Sequence, residues 1–430
     1  MKNFIKTAAI YTLGCRVNQY ESDAIANELT LRGWDIRKPS EICSVYIINT
    51  CTVTAESDRK SRQIIRRLKN QNPEAFVAVC GCYSQVRPEE VGVYADFVCG
   101  TRNKAAVITA AEDFAAGRRV EKIAVSDPSI SPYEPLYAPH TDRTRAFVKI
   151  EDGCDGKCAY CLIRVARGNV VSRREEDILS ELAKLYDAGY PEAVLTGIET
   201  SAYGRDTGAD LLSLLLKTND MKTPGRLRLG SVDPAWLKPD VSAALSKVGK
   251  FMPHIHLSVQ SGSSAVLAAM RRRYNAETLY KNVEACRKYI PGVRFSADII
   301  VGFPGETEED FNKTKEFLRF ANLIHAHIFP FSAREGTEAA AMKDQIPPDV
   351  KSRRAAELAK LQREINEKDA ASRIGDTVSV LFETYDGEYA YGHSDDFSSV
   401  KVKCAAALHG KVLPVTLTGF ENEEFEAKTE

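Results

Sequence analysis

The amino-acid sequence predicts an α/β protein in three parts: an N-terminal α/β domain with a parallel sheet, a central partial barrel of β/α repeats, and a small antiparallel β-barrel. Two observations lead to this fold class. Over roughly the first 330 residues, short apolar segments alternate with amphipathic ones, which is the pattern of parallel strands joined by crossover helices. Beyond residue 374 the apolar segments become short and closely spaced, as in small β-barrels.

The domain boundaries follow from the same pattern. We predict an N-terminal domain over 1–125, a linker over 126–143, a central domain over 144–373 and a C-terminal domain over 374–430. The linker is predicted because the segment lacks periodicity and is rich in proline, at Asp127-Pro128, Ser131-Pro132, Glu134-Pro135 and Ala138-Pro139. A chain of 430 residues is too long for one ordinary core, which agrees with several domains.

Composition excludes several classes of protein. With 44% hydrophobic and 27% charged residues the chain is globular and not intrinsically disordered. Neither a signal peptide nor an apolar run of about 18 residues is present, so we expect no membrane association. Eleven cysteines in such a chain indicate metal ligation in a reducing cytoplasm. The net charge is −1, so any nucleic-acid partner must be bound by local basic patches.

The N-terminal domain carries three dispersed cysteines at predicted strand ends. We predict strands over Thr7–Leu13, Val45–Asn49 and Ala75–Cys80, and helices over Tyr20–Arg32 and Ser57–Asn70. Cys15, Cys51 and Cys82 each follow a strand, at the sheet edge where α/β proteins bind ligands. Three cysteines at one edge are able to hold an iron–sulfur cluster; the alternative is that all three are core thiols. Cys80, Cys43 and Cys99 carry no motif that selects them as ligands.

A second set of cysteines is compact. Cys154, Cys158 and Cys161 have the spacing C-x3-C-x2-C in a glycine-containing loop. Three thiolates this close hold three irons of a 4Fe–4S cluster and leave the fourth iron open to a substrate or cofactor. The alternative is structural zinc, which usually takes four ligands in paired sets. No fourth Cys or His stands at a suitable spacing, so we favour the cluster.

The central domain alternates strands and helices about six times, which is typical of a partial TIM-type (β/α)6 barrel with its site at the carboxyl ends of the strands. The predicted strands are Phe147–Ile150, Ala193–Thr196, Arg226–Ser231, His256–Gln260, Phe295–Val301 and Ala326–Pro330. In the fourth strand, residues two apart share a face, so His256, Ser258 and Gln260 are expected inside the barrel.

Basic residues close to the cysteine loop suggest a nucleic-acid substrate. Arg164, Arg167, Arg173 and Arg174 follow the loop, and the run Arg271–Arg273 precedes Tyr274. Phosphate contacts provide much of the affinity for nucleic acid, and aromatic rings stack on unpaired bases. A solvated helix face is an equal alternative for Arg271–Arg273. Arg167 is so near the cysteines that we expect it to contact a substrate or cofactor.

The C-terminal region begins with a long amphipathic helix over Pro347–Arg373, with Leu358, Leu361 and Ile365 on one stripe. Four short strands are then predicted, at Thr377–Phe382, Glu388–Gly392, Val400–Lys403 and Val412–Thr418. This pattern favours a small antiparallel β-barrel.

These motifs resemble those of a known family. The cysteine loop, with Tyr160 before the last cysteine, resembles the S-adenosylmethionine (SAM) site of radical SAM enzymes. The resemblance implies that the amino and carboxylate groups of SAM chelate the open iron and that reductive cleavage gives a 5′-deoxyadenosyl radical. It also implies cofactor-lining roles for Tyr160, Gly197, Ser231, Gln260 and Asp298.

The N-terminal motifs resemble those of the radical SAM methylthiotransferases. They are Thr12–Ser22, Asn49–Thr54 and Gly81–Gln85. The resemblance implies that Cys15, Cys51 and Cys82 bind a second, auxiliary 4Fe–4S cluster, and that the C-terminal barrel is an RNA-binding TRAM module. Position 199, often His in those enzymes, is Glu199 here.

The resemblance is greatest to the branch that acts on N6-threonylcarbamoyladenosine at position 37 of tRNA, in the anticodon loop. The implied reaction replaces the C2–H bond, which is not acidic, by C2–SCH3 through radical chemistry. An external electron donor such as flavodoxin or ferredoxin, a monomeric chain and a cytoplasmic location are expected. The alternatives are a methylthiotransferase acting on isopentenyladenosine 37 or on a ribosomal-protein aspartate, and a non-enzymatic RNA-binding iron–sulfur electron carrier.

Overall fold

The computed structural model describes residues 5–138 and 143–429, beginning with a six-stranded parallel sheet. Its strand order is β2-β1-β3-β4-β5-β6. The strands are β1 (Thr7–Thr12), β2 (Asp35–Arg37), β3 (Val45–Thr50), β4 (Phe76–Gly81), β5 (Phe97–Cys99) and β6 (Ile123–Ala124). The three strands predicted from sequence are β1, β3 and β4, which are direct neighbours. The remaining strands have only two or three residues, too few to produce a recognisable period.

Helices cover both faces of this sheet. They are α1 (Arg16–Leu31), α2 (Ala55–Gln71), α3 (Cys82–Val86), α4 (Pro88–Gly92) and α5 (Ala105–Ala115). Alternate residues of β3 enter different apolar clusters, with Ile47 on one face and Ile48 on the other. This double burial explains why the strands are continuously apolar. Helix α1 begins four residues before the predicted Tyr20, directly after Cys15.

The central domain contains a second series of parallel strands in two sheets, ordered β11-β10-β7 and β12-β13-β14-β15. The strands are β7 (Arg145–Lys149), β10 (Glu192–Thr196), β11 (Arg226–Leu229), β12 (Ser231–Val232), β13 (His254–Gln260), β14 (Arg294–Val301) and β15 (His325–Pro330), with a small hairpin of β8 (Glu151–Asp152) and β9 (Val171–Ser172). Only Gly230 separates β11 from β12, and these two strands together occupy the predicted position Arg226–Ser231. All six predicted strand positions are therefore occupied, and the α/β class is confirmed.

Helices connect these strands, and most of the helices share one large apolar core with them. They are α6 (Ile163–Arg167), α7 (Glu175–Asp187), α8 (Leu211–Lys217), α9 (Pro239–Leu245), α10 (Ser264–Ala269), α11 (Ala276–Tyr289), α12 (Glu308–Ala321), α13 (Glu338–Ala341) and α14 (Pro348–Ala371). The predicted stripe Leu358, Leu361 and Ile365 on α14 is buried in this core.

The C-terminal domain is a closed barrel of order β16-β17-β18-β20-β19. The strands are β16 (Thr377–Tyr385), β17 (Tyr389–Ser394), β18 (Ser399–Lys403), β19 (Val412–Glu421) and β20 (Glu424–Thr429). Four strands were predicted; β20 was missed because its glutamates look like an acidic tail, although Phe425 lies in the barrel core. Closure uses one parallel pair, β18 with β20, so the barrel is not wholly antiparallel.

The C-terminal barrel packs on the amino ends of the central strands. Arg228 of β11 donates to the carbonyls of Ser394 and Asp395 at 2.8 and 2.9 Å. Arg145 of β7 forms an ion pair with Glu383 of β16. Because the barrel occupies this end, the opposite, carboxyl end is where a site remains accessible.

The predicted linker is packed along the domains where it is described. The Tyr133 hydroxyl donates to the carbonyl of Lys149 at 2.9 Å, and Glu134 accepts the Ala105 N–H at 2.7 Å. Residues 139–142 of the predicted linker lie outside the described residues. Among the helices of the described residues, each is too short or too polar to cross a membrane.

Candidate active site

A cavity of about 270 Å³ lies at the carboxyl ends of the central strands and contains all three compact cysteines in its wall. Cys154, Cys158 and Cys161 follow the hairpin strand β8, which places them beside the strand ends. Val53 and Thr54 of the N-terminal domain line the same cavity, so it is shared by two domains. The sequence did not predict that two domains line one cavity, because a local pattern of residues does not indicate which domains are in contact.

Hydrogen-bond donors surround the three sulfur atoms. The Gly156 N–H donates to Cys154 Sγ at 3.2 Å and the Ile163 N–H to Cys161 Sγ at 3.4 Å. The Arg272 guanidinium donates to Cys158 Sγ at 3.3 Å. Donors aimed at sulfur stabilise thiolates, which are the form that ligates iron. In the described parts of the chain no three His, Cys, Asp or Glu side chains are gathered around a single-ion position.

The loop that carries the cysteines requires a glycine. Gly153 has φ +86°, and a Cβ there would stand 2.0 Å from the carbonyl oxygen of Asn169. Only a residue without a side chain fits such a conformation and such an approach. Burial raises the pKa of Cys154 to about 12 and that of Cys161 to about 11. The bare thiols are therefore protonated at neutral pH, and a bound iron cluster must displace their protons.

Three of the predicted cofactor-lining residues line this cavity: Tyr160, Gln260 and Asp298. Gln260 has φ +66°, a strained conformation for a residue other than glycine, and it turns the end of β13 toward the cavity. Asp298 Oδ2 lies 3.3 Å from Nε2 of His256, deeper in the barrel. Glu199 also lines the cavity, with Oε2 3.7 Å from Cys154 Sγ.

Gly197, Ser231 and Arg167 do not line this cavity, and their cofactor roles stay predictions. Gly197 instead makes room for the buried Glu151: a Cβ there would stand 2.0 Å from Glu151 Oε1. Ser231 pairs with His256 in the sheet. The Arg167 side chain is completely buried between the two domains.

The three dispersed cysteines meet at the carboxyl edge of the N-terminal sheet, following β1, β3 and β4. A Cβ on Gly14 would stand 3.0 Å from Cys51 Sγ, so this glycine lets Cys51 approach the loop of Cys15. Burial raises the pKa of both Cys51 and Cys82, and the nearby Cys15 adds to this effect. A cluster of thiols at one edge, one of them hydrogen-bonded to a cation, fits an iron–sulfur ligand set.

The neighbouring cysteines have a different environment. Cys80 is fully buried in an apolar cluster beside Cys99, and Cys43 is buried in the cluster on the other face of the sheet. By contrast, Cys82 Sγ accepts a hydrogen bond from Arg167 Nε at 3.3 Å. This difference supports Cys82, and not Cys80, as the third ligand.

The arginines singled out by sequence have unequal surroundings. Arg167, Arg173 and Arg272 are buried, and Arg173 forms an ion pair with Glu181. Arg164, Arg174, Arg271 and Arg273 are exposed, and Arg174 and Arg271 each pair with a carboxylate. The contact of Arg272 with Cys158 was missed because a run of three arginines does not reveal which one faces inward.

The sequence is similar to those of known proteins. The Radical SAM superfamily model matches residues 148–318, and the model of Uncharacterized protein family UPF0004 matches residues 7–100. The chain is 36% identical to the threonylcarbamoyladenosine tRNA methylthiotransferase MtaB of Bacillus subtilis (strain 168), covering 96% of this chain and 93% of that one. It is 34% identical to the tRNA-2-methylthio-N(6)-dimethylallyladenosine synthase of Moorella thermoacetica, over 88% and 87% of the two chains. The chain belongs to the radical SAM methylthiotransferase family.

Solved structures show the same fold at low sequence identity. The radical S-adenosylmethionine methyltransferase TsrM from Kitasatospora setae aligns with a TM-score of 0.56 and 13% identity, over 78% of this chain and 77% of that one. The radical enzyme OxsB aligns with a TM-score of 0.52 and 9% identity, over 84% and 56% of the two chains.

Membership of the radical SAM methylthiotransferase family confirms that the protein is an enzyme that uses SAM and a 4Fe–4S cluster. When bound, these groups supply an organic radical able to attack an unactivated C–H bond. The chain itself provides donors to the sulfurs and a cavity lined by two domains, with the polar side chains Glu199, Gln260 and Asp298 in its wall.

Proposed function

We propose that this enzyme converts N6-threonylcarbamoyladenosine at position 37 of tRNA to its 2-methylthio derivative. The names of several relatives support this substrate. In addition to the B. subtilis protein, the protein of the same name from Thermotoga maritima is 35% identical over 89% of this chain. Relatives named for dimethylallyladenosine are 32–34% identical, so that base is the second candidate.

The observation that carries the proposal is a cavity that is lined by the compact cysteines and by residues of the domain that carries the dispersed cysteines. Cys154, Cys158 and Cys161 line it directly. Cys51 is close to it in sequence, because Val53 and Thr54 line the same cavity. Cys82 lies near enough to Cys161 to affect its pKa electrostatically. We propose that Cys15, Cys51 and Cys82 hold an auxiliary 4Fe–4S cluster that presents sulfur to the same substrate atom that the radical site activates.

The C-terminal barrel offers a surface suited to RNA. On adjacent strands Tyr389 pairs with Lys403, and Tyr391 pairs with Lys401. The two lysine ammonium groups lie 5.5 and 5.9 Å from the Tyr389 ring centroid. Aromatic rings stack on unpaired bases, and lysines neutralise phosphates. We propose that this face contacts the anticodon arm.

The reaction requires a one-electron donor, and we propose a flavodoxin or ferredoxin. We also propose a cytoplasmic location, because the proposed substrate is a tRNA. We propose a monomer as the working unit, because one chain contributes both cysteine sets and the cavity between them.

The test is a single-turnover assay with reconstituted enzyme, SAM, reductant and tRNA carrying either modified base, followed by nucleoside analysis of the tRNA. We expect 2-methylthio-N6-threonylcarbamoyladenosine. Product only from the dimethylallyl-type tRNA would overturn the substrate assignment. Reductive SAM cleavage without any methylthio product from either tRNA would overturn the proposed activity.

A Cys82→Ala variant tests the auxiliary ligand set. We expect it to lose methylthiolation and still cleave SAM reductively, because the compact cysteines remain. Cys43→Ala is the matched control, since Cys43 is a buried thiol in an apolar cluster. Wild-type methylthiolation by Cys82→Ala would show that the ligand assignment is wrong.

A further inference from the structure

A buried network of charges joins the two domains beside Cys82. It contains four cations, Arg102, Lys104, Lys149 and Arg167, and two carboxylates, Glu21 and Asp152, and no side chain among the six is more than 4% exposed. The members come from both domains, with Glu21, Arg102 and Lys104 from the N-terminal domain and the others from the central one.

Arg167 is the centre of this network. Its guanidinium donates to Glu21 Oε1 at 2.9 Å and to Asp152 Oδ1 at 3.0 Å. Lys149 donates to the same two carboxylates at 2.7 and 2.6 Å. Lys104 forms an ion pair with Glu21. Each carboxylate therefore contacts more than one cation, which keeps both ionised despite their burial.

Arg102 adds a charge that no carboxylate closely matches. Its guanidinium donates at 2.7 Å to the carbonyl of Arg167, while the nearest carboxylate, Asp152, is 4.0 Å away. Its Nη1 is buried and has no hydrogen-bond partner among the described residues. A buried guanidinium with an unused donor is energetically unfavourable unless another anion is nearby.

The charges do not balance within the protein. Four cations against two carboxylates leave an excess of two positive charges. Glu134, beside Lys104 and Lys149, reduces the excess to one if it is counted as ionised. Burial raises the pKa of the neighbouring Glu151 well above its usual range, which opposes a negative charge on that carboxyl. A buried positive excess remains in either count.

This excess faces a thiol. Arg167 Nε donates to Cys82 Sγ at 3.3 Å, and Lys104 is near enough to lower the pKa of Cys82, although burial has the larger and opposite effect. A 4Fe–4S core held by three thiolates carries a net negative charge, which increases on reduction. Nearby charge and hydrogen bonds to sulfur are the main means by which proteins adjust such potentials.

We propose that Arg167, supported by Arg102, Lys104 and Lys149, raises the reduction potential of the cluster bound at Cys82. Arg167 is a positioning residue: it acts through a ligand sulfur and through fixed charge. The inference rests on the proposed function, because it requires the auxiliary cluster. A purely mechanical role, joining the two domains, predicts that loss of Arg167 lowers stability and leaves the potential unchanged.

The experiment uses the full-length chain with Cys154, Cys158 and Cys161 replaced by alanine, so that only the auxiliary cluster is observed. Iron is counted after anaerobic reconstitution, and the midpoint potential is measured by redox titration with electron paramagnetic resonance. The titration is repeated after Arg167→Gln, Arg167→Lys and Lys104→Gln. The control is Arg354→Gln, which removes a buried arginine whose hydrogen bonds go to Glu306 and Glu308.

At a fixed solution potential, we expect Arg167→Gln to lower the ratio of reduced to oxidised auxiliary cluster about tenfold. This change corresponds to a midpoint potential lower by about 59 mV for a one-electron couple. Arg167→Lys should restore part of the shift, and Lys104→Gln should move the potential in the same direction without touching Cys82. Unchanged potentials in both glutamine variants, with the cluster present, would overturn the inference and leave the proposed function intact. If the parent triple variant binds no iron, the auxiliary-cluster assignment fails and the inference fails with it. Should Arg167→Gln not fold, Lys104→Gln decides the question alone.

Discussion

Replacing Gly197 by alanine tests how tightly the strand end of β10 is fitted to the candidate active site. A Cβ at this position would stand 2.0 Å from Glu151 Oε1 and 2.6 Å from its Cδ, distances that no relaxed structure tolerates. Glu151 is fully buried, and its Oε1 accepts the Glu199 N–H at 2.6 Å. The new methyl group must therefore displace the carboxyl group and break this hydrogen bond.

The expected magnitude follows from these two effects. Overpacking a close-packed site destabilises by about 1–3 kcal/mol, and leaving a buried polar group unsatisfied adds about 1–3 kcal/mol. For a domain of this size each kcal/mol lowers Tm by about 2–4 °C. The two effects sum to about 2–6 kcal/mol, and the midpoint of about 4 kcal/mol corresponds to a fall of about 8–16 °C in Tm.

The assay is thermal unfolding of the apo-protein, with SAM binding measured on the reconstituted enzyme. The matched control is Gly249→Ala, because a Cβ there has only Asn219 Oδ1 nearby, at 3.7 Å. We expect normal Tm for the control, and reduced Tm and weakened SAM binding for Gly197→Ala, since Glu199 lines the cavity. A Gly197→Ala protein with wild-type Tm would refute the packing argument.

Two further predictions concern the C-terminal barrel. The double substitution Tyr389→Ala with Lys403→Ala should weaken tRNA binding about tenfold and reduce its salt dependence, because a stacking ring and a phosphate contact are lost. Filter binding at several salt concentrations measures the affinity and its salt dependence. Unchanged binding would exclude this face of the barrel as the tRNA contact. Burial opposes ionisation of Glu383, but the hydrogen bond from His393 and the charge of Arg145 lower its pKa to about 2. The ion pair of Glu383 with Arg145 should therefore stabilise the apo-protein above about pH 4.5 and lose that contribution as pH falls toward 2. The Tm difference between wild type and Glu383→Gln should shrink over this pH range. A Tm difference that is independent of pH would contradict the lowered pKa of Glu383.

Much of the fold was predictable because it depends on local patterns. The strands β1, β3 and β4 are continuously apolar since both faces are covered, and their turn cysteines follow directly. Alternation along β13 correctly grouped Ser258 with Gln260, which both line the cavity. The alternation could not reveal that His256 lies deeper in the barrel and contacts Asp298. Alternation along a strand indicates the face of the sheet on which a side chain lies, but not how deep in the barrel it lies.

The arginines illustrate what sequence could not resolve. Neighbouring positions in the run Arg271–Arg273 have different partners: Arg271 pairs with Glu338 at the surface, while Arg272 is buried against Cys158. The role expected for Arg167, contact with a substrate or cofactor, stays a prediction, and its buried side chain contacts residues more than 100 positions away in the chain, such as Glu21. Burial of a charge depends on these distant partners, and sequence does not report them.

The sequence by itself determined the chemistry that this chain is able to perform, because ligand type and spacing at Cys154, Cys158 and Cys161 are properties of a short covalent segment. It also determined the order of the three domains, since hydrophobic periodicity is local. Only the tertiary structure decided that residues of the N-terminal domain line the cavity of the compact cysteines and that a buried excess of positive charge lies beside Cys82. Those features arise where separate domains pack together, and the energy of a buried charge depends on every group that surrounds it.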